Sequence, residues 1–244
     1  MDMSCSGQGD ASPLLRVHKE FCPAVQAGQQ ADAHEFLVLH LEKLESEYLN
    51  RFGSELCSMD PSTRQTTPLH YSFEGRLRTQ VECQDCCTTS TTSHAFTMLD
   101  LEVRHSKDVV QALHRFSQCD TVEFFYGTCK RSATAEKRVT IEKLPLNLLV
   151  RLERFAEDGC KIESNFNLVD KLDVSFCTTG RISSQMSLNA VIFHAGESTR
   201  SGHYYATVRN GNKFMKFDDD KVTAMSWSQV KRLRDTSYVL VYAQ

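Results

Sequence analysis

Apolar residues recur at steps of three and four between residues 33 and 48, a spacing that places them on one face of an α-helix. Asp32 followed by Glu35 is typical of a capping box, in which Asp32 accepts backbone N–H groups and Glu35 bonds back to the cap. Gly53 is suited to ending such a helix. The pattern predicts a helix that begins at Asp32 and whose apolar face consists of Ala33, Leu37, Leu41, Leu44 and Tyr48.

From Tyr71 onward, short alternating stretches of β-prone residues replace the helical spacing. Asn210-Gly211 is a strong turn signal with β-prone residues on both sides, so it predicts a hairpin. We expect strands at 73–81, 95–103, 146–155, 188–194 and 237–242, one short helix at 108–116, and the hairpin at 203–217. One helix followed by a β-rich remainder indicates an α+β fold.

The hairpin places a histidine opposite a carboxylate if Asn210 and Gly211 are its two loop residues. Counting outward from that turn, His203 faces Asp218, with the two Cβ atoms about 4.5–5.5 Å apart. Such a carboxylate accepts a hydrogen bond from the imidazole Nδ1–H, which fixes the tautomer and stabilises the imidazolium. The pair has two interpretations, a general base with its orienting group or a surface ion pair contributing well under about 1 kcal/mol. A three-residue loop would favour Asp219 instead.

Composition narrows the function classes. The chain has 244 residues, 28 of them basic and 31 acidic, a net charge of -3 and ten cysteines. This balance provides no basic field for nucleic acid or anionic membrane, and no apolar run approaches the roughly 20 residues of a transmembrane helix. The N-terminus lacks the features of a signal peptide, so the cysteines are better explained as reduced thiols or metal ligands. We therefore expect an intracellular protein that is cytoplasmic, nuclear or both.

Five segments in a fixed order resemble the ubiquitin-specific proteases, papain-like cysteine proteases that cleave ubiquitin from lysine or peptide bonds. They are 30–36 (QADAHEF), 73–75 with 83–86 (FEG and CQDC), 144–155 (LP to RF), 201–204 with 217–219 (SGHY and FDD), and 238–242 (YVLVY). Each is weak alone, but their order across nearly the whole chain is specific. The resemblance implies a single catalytic domain of papain-like α+β fold, with a partial thumb at 1–69, fingers at 70–138 and a β palm at 139–244.

The resemblance also assigns roles to particular residues. His203 would be the general base and Asp218 its orienting carboxylate. Asp32 would contact a basic residue of ubiquitin while also capping its helix, and Tyr204 would line the channel for the ubiquitin tail or only pack. Gly202 leaves room beside His203 for close approach of a backbone or substrate. The implied ubiquitin-binding residues are Gln30, Asp32, Gly202 and Tyr204, and the implied partner is ubiquitin or a ubiquitinated protein.

The nucleophile is the point of departure from the family. In the family, a G-N-x-C segment upstream of Q-x-D-A carries the cysteine at a helix N-terminus, which lowers the thiol pKa. Cys5 lies among glycines and Cys22 is followed at once by Pro23, so neither matches. We expect an N-terminally incomplete form of an active deubiquitinase. The alternative is a catalytically inactive relative that binds ubiquitin, and a G-N-x-C box in upstream coding sequence would decide between them.

The cysteines include half of a zinc site. Cys83 and Cys86 have the C-x-x-C spacing of two tetrahedral ligands. In the family a second C-x-x-C follows, but here Cys129 is followed by Ser132, and serine is a poor zinc ligand. Cys87 or Cys119 could substitute, and free thiols without zinc are the other interpretation. The sequence therefore leaves open a structural zinc at Cys83, Cys86 and Cys129 whose fourth ligand is missing at Ser132.

Overall fold

The computed structural model describes residues 31–51, 67–127, 130–156, 158–162, 164–180, 185–198 and 201–244. Within these ranges there are four α-helices, α1 (Ala33–Asn50), α2 (Pro68–Phe73), α3 (Val109–Phe116) and α4 (Trp227–Lys231). Short 3-10 helices lie at Ser175–Cys177 and Arg234–Thr236. None of the described helices is both long and apolar enough to cross a membrane.

Two sheets organise the described strands. The smaller has the order β2-β1-β5-β4 and consists of β1 (Gly75–Cys83), β2 (Thr89–Phe96), β4 (Asp120–Tyr126) and β5 (Arg131–Lys143). The larger has the order β11-β10-β9-β8-β12-β6-β3, with β7 paired to β8. Its strands are β3 (Met98–Glu102), β6 (Asn147–Glu153), β7 (Lys171–Asp173), β8 (Gln185–Ser198), β9 (Ser201–Asn210), β10 (Lys213–Asp218), β11 (Lys221–Met225) and β12 (Ser237–Ala243).

The main core lies on one face of the larger sheet, where strands and helices bury alternate residues. Phe193 of β8, Phe214 of β10 and Tyr242 of β12 are fully buried there. Helix α3 forms as predicted because Asp108 caps it by accepting a hydrogen bond from the Gln111 N–H, and its apolar stripe packs into this core. This packing makes the sheet a rigid support for the loops at its edge.

The predicted strand at 95–103 is two strands in different sheets. Phe96 ends β2 of the smaller sheet, and Met98 begins β3, which pairs in parallel with β6 of the larger sheet. An alternating pattern reports burial on one face and carries no information about which neighbour a strand pairs with. The smaller sheet spans 75–143 and overlaps the segment 70–138 that was expected to form the fingers, with β3 and α3 inserted between its strands; the division into thumb, fingers and palm stays a prediction.

Helix α1 begins where the sequence predicts, with a different cap. The Asp32 carboxylate accepts a 2.7 Å hydrogen bond from the backbone N–H of His34, the second helical residue, whereas a capping box uses the third. No residue of α1 is fully buried, and Leu44 of its predicted apolar face is exposed. The helix therefore lies on the surface, and its N-terminus is the part held against the larger sheet.

Candidate functional site

The turn of the β9–β10 hairpin is displaced by one residue from the predicted turn. Asn210 pairs with Lys213 and Ala206 pairs with Phe217, so the loop residues are Gly211 and Asn212. Gly211 has φ 58°, a left-handed conformation that glycine adopts without strain. The predicted register, with His203 directly opposite Asp218, is therefore wrong. Continuing the observed pairing places Asp218 opposite Tyr205 instead, one diagonal step from His203.

His203 and Asp218 nevertheless meet across that diagonal. The Nε2–H of His203 donates to Asp218 Oδ1 at 2.6 Å, a distance typical of a short charge-assisted bond. Diagonal neighbours on a sheet face remain within reach of long side chains, which explains the contact despite the shifted register. The sequence predicted Nδ1 as the bonded nitrogen, and this prediction is wrong. Because Nε2 is held by the carboxylate, Nδ1 is the nitrogen available to accept a proton.

A lysine completes the ion cluster around Asp218. Lys216 Nζ lies 2.7 Å from Asp218 Oδ2 and 4.1 Å from the centre of the Tyr205 ring. Hydrogen bonds from Lys216 and then from His203 lower the pKa of the Asp218 carboxyl below its usual value. Asp218 therefore stays ionised at neutral pH and can hold the imidazole in one orientation.

Asp219, the alternative partner of His203 that a three-residue loop would have favoured, lies outside the strand. Strand β10 ends at Asp218, and Asp219 occupies the following turn with φ 52°. Its carboxylate is 78% exposed and lies 4.0 Å from His203 Nε2, on the same side as Asp218. Aspartate adopts this left-handed conformation more readily than most residues. Asp219 is thus a solvated second charge near the imidazole, beyond hydrogen-bond distance.

The three side chains raise the question of a metal site. Within the described ranges, His203, Asp218 and Asp219 are the one group of three potential ligands whose atoms lie within 4.8 Å of one another. Both oxygens of Asp218 are already occupied, one by the histidine N–H and the other by Lys216. A cation bound at His203 Nε2 would have to break the bond from that nitrogen to Asp218 Oδ1, and it would also compete with the positive charge of Lys216. The donor set therefore fits an ion-paired imidazole better than a metal centre.

The cysteine motif is only partly described. Cys83 is fully buried between the apolar residues of the smaller sheet, and the Cys86 thiol donates to Thr88 Oγ1 at 3.2 Å. Cys119 donates to Glu136 Oε2 at 3.4 Å. Ser132 lies on β5, and Cys129 is outside the described residues. Zinc binding at this motif stays an open sequence hypothesis.

Gly202 supports a neighbouring ring, and the open space predicted beside it is filled. A Cβ atom built at Gly202 would lie within 2.9 Å of three atoms of the His194 imidazole, which packs over the glycine backbone. His194 is 3% exposed and is flanked by Phe155 at 5.3 Å and Tyr204 at 4.6 Å between ring centres. Burial lowers the pKa of His194, and Lys161 lowers it further. His194 is therefore a neutral packing residue next to the strand that carries His203.

Asp32 and Tyr204 lie on the same side of the sheet as His194. The hydroxyl of Tyr238 donates to Asp32 Oδ2 at 2.7 Å, which joins the start of α1 to β12. Tyr204 is partly buried, with its ring centre 6.1 Å from that of Tyr238, and burial raises the pKa of Tyr204 to about 12. Packing, one of its two interpretations, is thus observed for Tyr204. Gln30 lies outside the described residues.

Arg154 belongs to the 144–155 motif, and in the structure its side chain holds the chain segment that precedes β12. It is 2% exposed, and its guanidinium donates to the backbone carbonyls of Ser237 and Arg234, both at 2.8 Å. Burial lowers its pKa to about 10. These bonds hold the segment that leads into β12, so Arg154 positions Tyr238. A charged residue at the end of an apolar stretch was the available sequence signal.

A cleft opens beside these residues. It has a volume of about 570 Å³ and is lined by Asp32, Glu102, Arg104, Arg151, Phe155 and Tyr238, among others. Charged side chains of both signs and two aromatic rings therefore face the same space. This lining suits an extended peptide with polar or charged side chains better than an apolar small molecule.

Comparison with known proteins identifies relatives that match nearly the whole chain. Residues 7–242 match the family model described as ubiquitin carboxyl-terminal hydrolase. Ubiquitin carboxyl-terminal hydrolase 17-like protein E of Mus musculus is 32% identical over 95% of this chain and 43% of its own length. Ubiquitin carboxyl-terminal hydrolase 36 of Drosophila willistoni is 28% identical over 97% of this chain and 19% of its own length. The chain thus spans less than half the length of these curated relatives.

A solved structure shares the fold. The SAGA Ubp8/Sgf11/Sus1/Sgf73 DUB module bound to ubiquitin aldehyde contains a chain that matches with a TM-score of 0.80. The match covers 94% of this chain and 52% of that chain at 23% identity. At this identity the match establishes the fold, which agrees with the α+β architecture expected from the sequence.

Proposed function

Because this chain belongs to the ubiquitin carboxyl-terminal hydrolase family, we propose that it provides the general base of a cysteine-type deubiquitinase. The bond cleaved is the thioester, isopeptide or peptide bond at the C-terminal glycine of ubiquitin. The observation that supports this proposal is the 2.6 Å contact between His203 Nε2 and Asp218, with Lys216 on the second carboxylate oxygen. An oriented imidazole whose Nδ1 bonds no other group within the described ranges is the base that such chemistry requires.

In the proposed reaction, His203 Nδ1 takes the proton of a cysteine thiol, and the thiolate attacks the glycine carbonyl. The imidazolium returns the proton to the leaving amine as the C–N bond breaks and an acyl-enzyme forms. Water then attacks the acyl-enzyme with His203 again acting as base, and the thiol is regenerated with release of the ubiquitin carboxylate. Asp218 keeps the ring oriented and stabilises its charge in both steps.

We assign the nucleophile in this proposal to an upstream segment of a longer chain. The 244 residues contain no G-N-x-C box, whereas the base and its carboxylate are both present. The alternative is a ubiquitin-binding protein without catalysis, which the missing box also supports. Both versions have ubiquitin or ubiquitinated proteins as partners. For both versions we propose a location in the cytoplasm, the nucleus or both.

We expect the 244-residue chain to form no covalent adduct with a ubiquitin probe that carries a thiol-reactive group at its C-terminus. The reason is that neither Cys5 nor Cys22 lies in a nucleophile segment. Intact-mass analysis after incubation with the probe measures this, and the same chain preceded by a family nucleophile segment serves as the comparison. Labelling mapped to Cys5 or Cys22 would contradict the assignment. Failure of the extended chain to react, together with tight binding of ubiquitin, would favour the non-catalytic alternative.

In that extended chain, Asp218→Ala should lower kcat by roughly 10²-fold, because the imidazole loses the group that orients it. Asp219→Ala should change kcat by less than about fivefold, since an exposed charge at 4.0 Å contributes below about 1 kcal/mol. Hydrolysis of a fluorogenic ubiquitin C-terminal amide by the two variants is the measurement. A larger loss for Asp219→Ala would show that the orienting carboxylate has been assigned to the wrong aspartate.

A further inference from the structure

Among the carboxylates that line the cleft, Asp32 is the one that two hydrogen bonds fix in place, and no ion pair within the described ranges includes it. The nearest guanidinium groups have other partners. Arg151 donates to both oxygens of Asp100 at 2.7 and 2.8 Å, and Arg154 is bonded to backbone carbonyls. The carboxylate of Asp32 thus has no cation of its own among these neighbours. A cationic group of a ligand would complete its charge balance.

The carboxylate has acceptor capacity left for such a group. An ionised carboxylate offers about four lone-pair positions. Oδ1 accepts from the His34 backbone N–H and Oδ2 accepts from the Tyr238 hydroxyl, each at 2.7 Å. Two positions remain. The two existing bonds come from different elements, helix α1 and strand β12, so they fix the plane of the carboxylate as well as its position.

Tyr238 is itself rigidly placed. It is 3% exposed, and it packs edge-on against Phe155 with ring centres 6.0 Å apart and lies 6.1 Å from Tyr204. The pairing of β12 with β8 shifts register between Ser237 and Val239, so Tyr238 occupies a bulge, a feature that redirects a side chain away from its regular position. Burial and the nearby Asp32 raise its pKa, so the hydroxyl remains a donor throughout the physiological range.

We propose that Tyr238 is a positioning residue that fixes the Asp32 carboxylate at the wall of the cleft to receive a cationic side chain of the bound peptide. This inference rests on the proposed function, under which that cation belongs to a basic residue of ubiquitin. Without the hydroxyl, Asp32 keeps its helix-cap bond but loses the bond that fixes its second oxygen. The carboxylate can then rotate about the remaining contact, and the geometry offered to the cation is lost.

A purely structural role for Tyr238 makes a different prediction, because the same bond also joins α1 to the sheet. Tyr242→Phe provides a matched control on the same strand, since the Tyr242 hydroxyl donates to the Val169 carbonyl at 2.8 Å in the core. Asp32→Asn removes the charge and keeps a side chain that caps helices equally well. Asp32→Asn thus tests the charge of the carboxylate, and Tyr238→Phe tests the bond that orients it. Tyr242→Phe tests the effect on stability of losing a tyrosine hydroxyl from the same strand.

The experiment measures the affinity of the 244-residue chain for ubiquitin and for ubiquitin variants in which one basic residue is replaced by alanine. We expect Tyr238→Phe and Asp32→Asn each to weaken binding of unmodified ubiquitin by about tenfold, the size of one charge-assisted bond. Toward the ubiquitin variant lacking the matching cation, both should bind like the parent chain. The double variant should lose no more than Asp32→Asn alone, and Tyr242→Phe should bind normally even if it melts earlier.

Two results would overturn the inference while leaving the proposed function intact. One is equal weakening of every ubiquitin variant by Tyr238→Phe, which would indicate a structural role. The other is unchanged affinity of Tyr238→Phe together with weakened binding by Asp32→Asn. Absence of any ubiquitin binding by the parent chain would instead overturn the proposed function, and the inference with it.

Discussion

His203→Ala should lower kcat for a fluorogenic ubiquitin C-terminal amide by about 10²–10⁴-fold, the usual contribution of a general base. The assay uses the chain preceded by a family nucleophile segment, because the proposed reaction needs a thiol. The expected loss follows from geometry. His203 is the imidazole held by Asp218 at 2.6 Å, and it is 47% exposed, so its Nδ1 is accessible to a reacting group. KM should change little, since the base acts on the proton of the thiol.

A second exposed histidine provides a control for the general effect on kcat of replacing a surface histidine by alanine. His94 lies exposed on β2 of the smaller sheet, so His94→Ala should leave kcat unchanged. Ubiquitin affinity measured for His203→Ala tests whether the site remains folded, and it should match that of the parent chain. Retention of kcat within about tenfold by His203→Ala would mean that another group supplies the base. If His203 matters and Asp218 does not, the carboxylate is not what orients it.

Gly202→Ala should lower the free energy of unfolding by about 1–3 kcal/mol, the usual range for inserting a methyl group into a packed site. The new Cβ would lie within 2.9 Å of three atoms of the His194 ring, which is buried and cannot swing into solvent. Either the ring or strand β9 must move. Because His203 follows Gly202 directly, a displaced strand should also reduce kcat in the extended chain. Urea unfolding of the 244-residue chain measures the stability change.

Gly127 provides a matched control for this substitution. A Cβ built there meets nothing within 4 Å, so Gly127→Ala should have almost no effect on stability. The double variant Gly202→Ala with His194→Ala tests the cause, because removal of the ring vacates the space that the methyl group needs. The two changes should then be strongly non-additive, with the double variant more stable than the sum predicts. Additive losses would show that contact with His194 is not the source of the strain.

The hairpin illustrates how far local rules extend. The Asn-Gly signal and its β-prone flanks correctly predict a hairpin that brings His203 near Asp218. The position of the turn was wrong by one residue, because Gly211 adopts the left-handed conformation as the first loop residue while Asn210 remains paired in β9. Local propensity makes both turns acceptable. The two registers differ by two residues in pairing, so both leave Tyr205 and Thr207 of β9 on the core face, and burial does not distinguish them.

For Asp32, too, the local sequence predicts one contact and only the tertiary structure shows the other. Its role as a helix cap follows from residues within three positions of it in sequence, and the structure confirms that Asp32 is the cap, although it accepts from the His34 N–H and forms no capping box with Glu35. Its bond to Tyr238 joins residues 206 positions apart. A tyrosine in an apolar strand signals that its hydroxyl needs a partner, but the sequence pattern does not identify that partner. The partner follows from the tertiary contact that brings the N-terminus of α1 to Tyr238 of β12.

The sequence by itself determined the helix start at Asp32, most of the strands and the ordered motifs of the family. It also identified His203 and Asp218 as the ion pair. These depend on backbone propensity, burial periodicity and turn chemistry, which act over a few residues. Only the tertiary structure decided that Nε2 holds Asp218, that His194 fills the space at Gly202, and that Tyr238 bonds Asp32. Each of these depends on how distant segments pack at sub-ångström scale. Close packing couples every such contact to its neighbours, and no local pattern records that coupling.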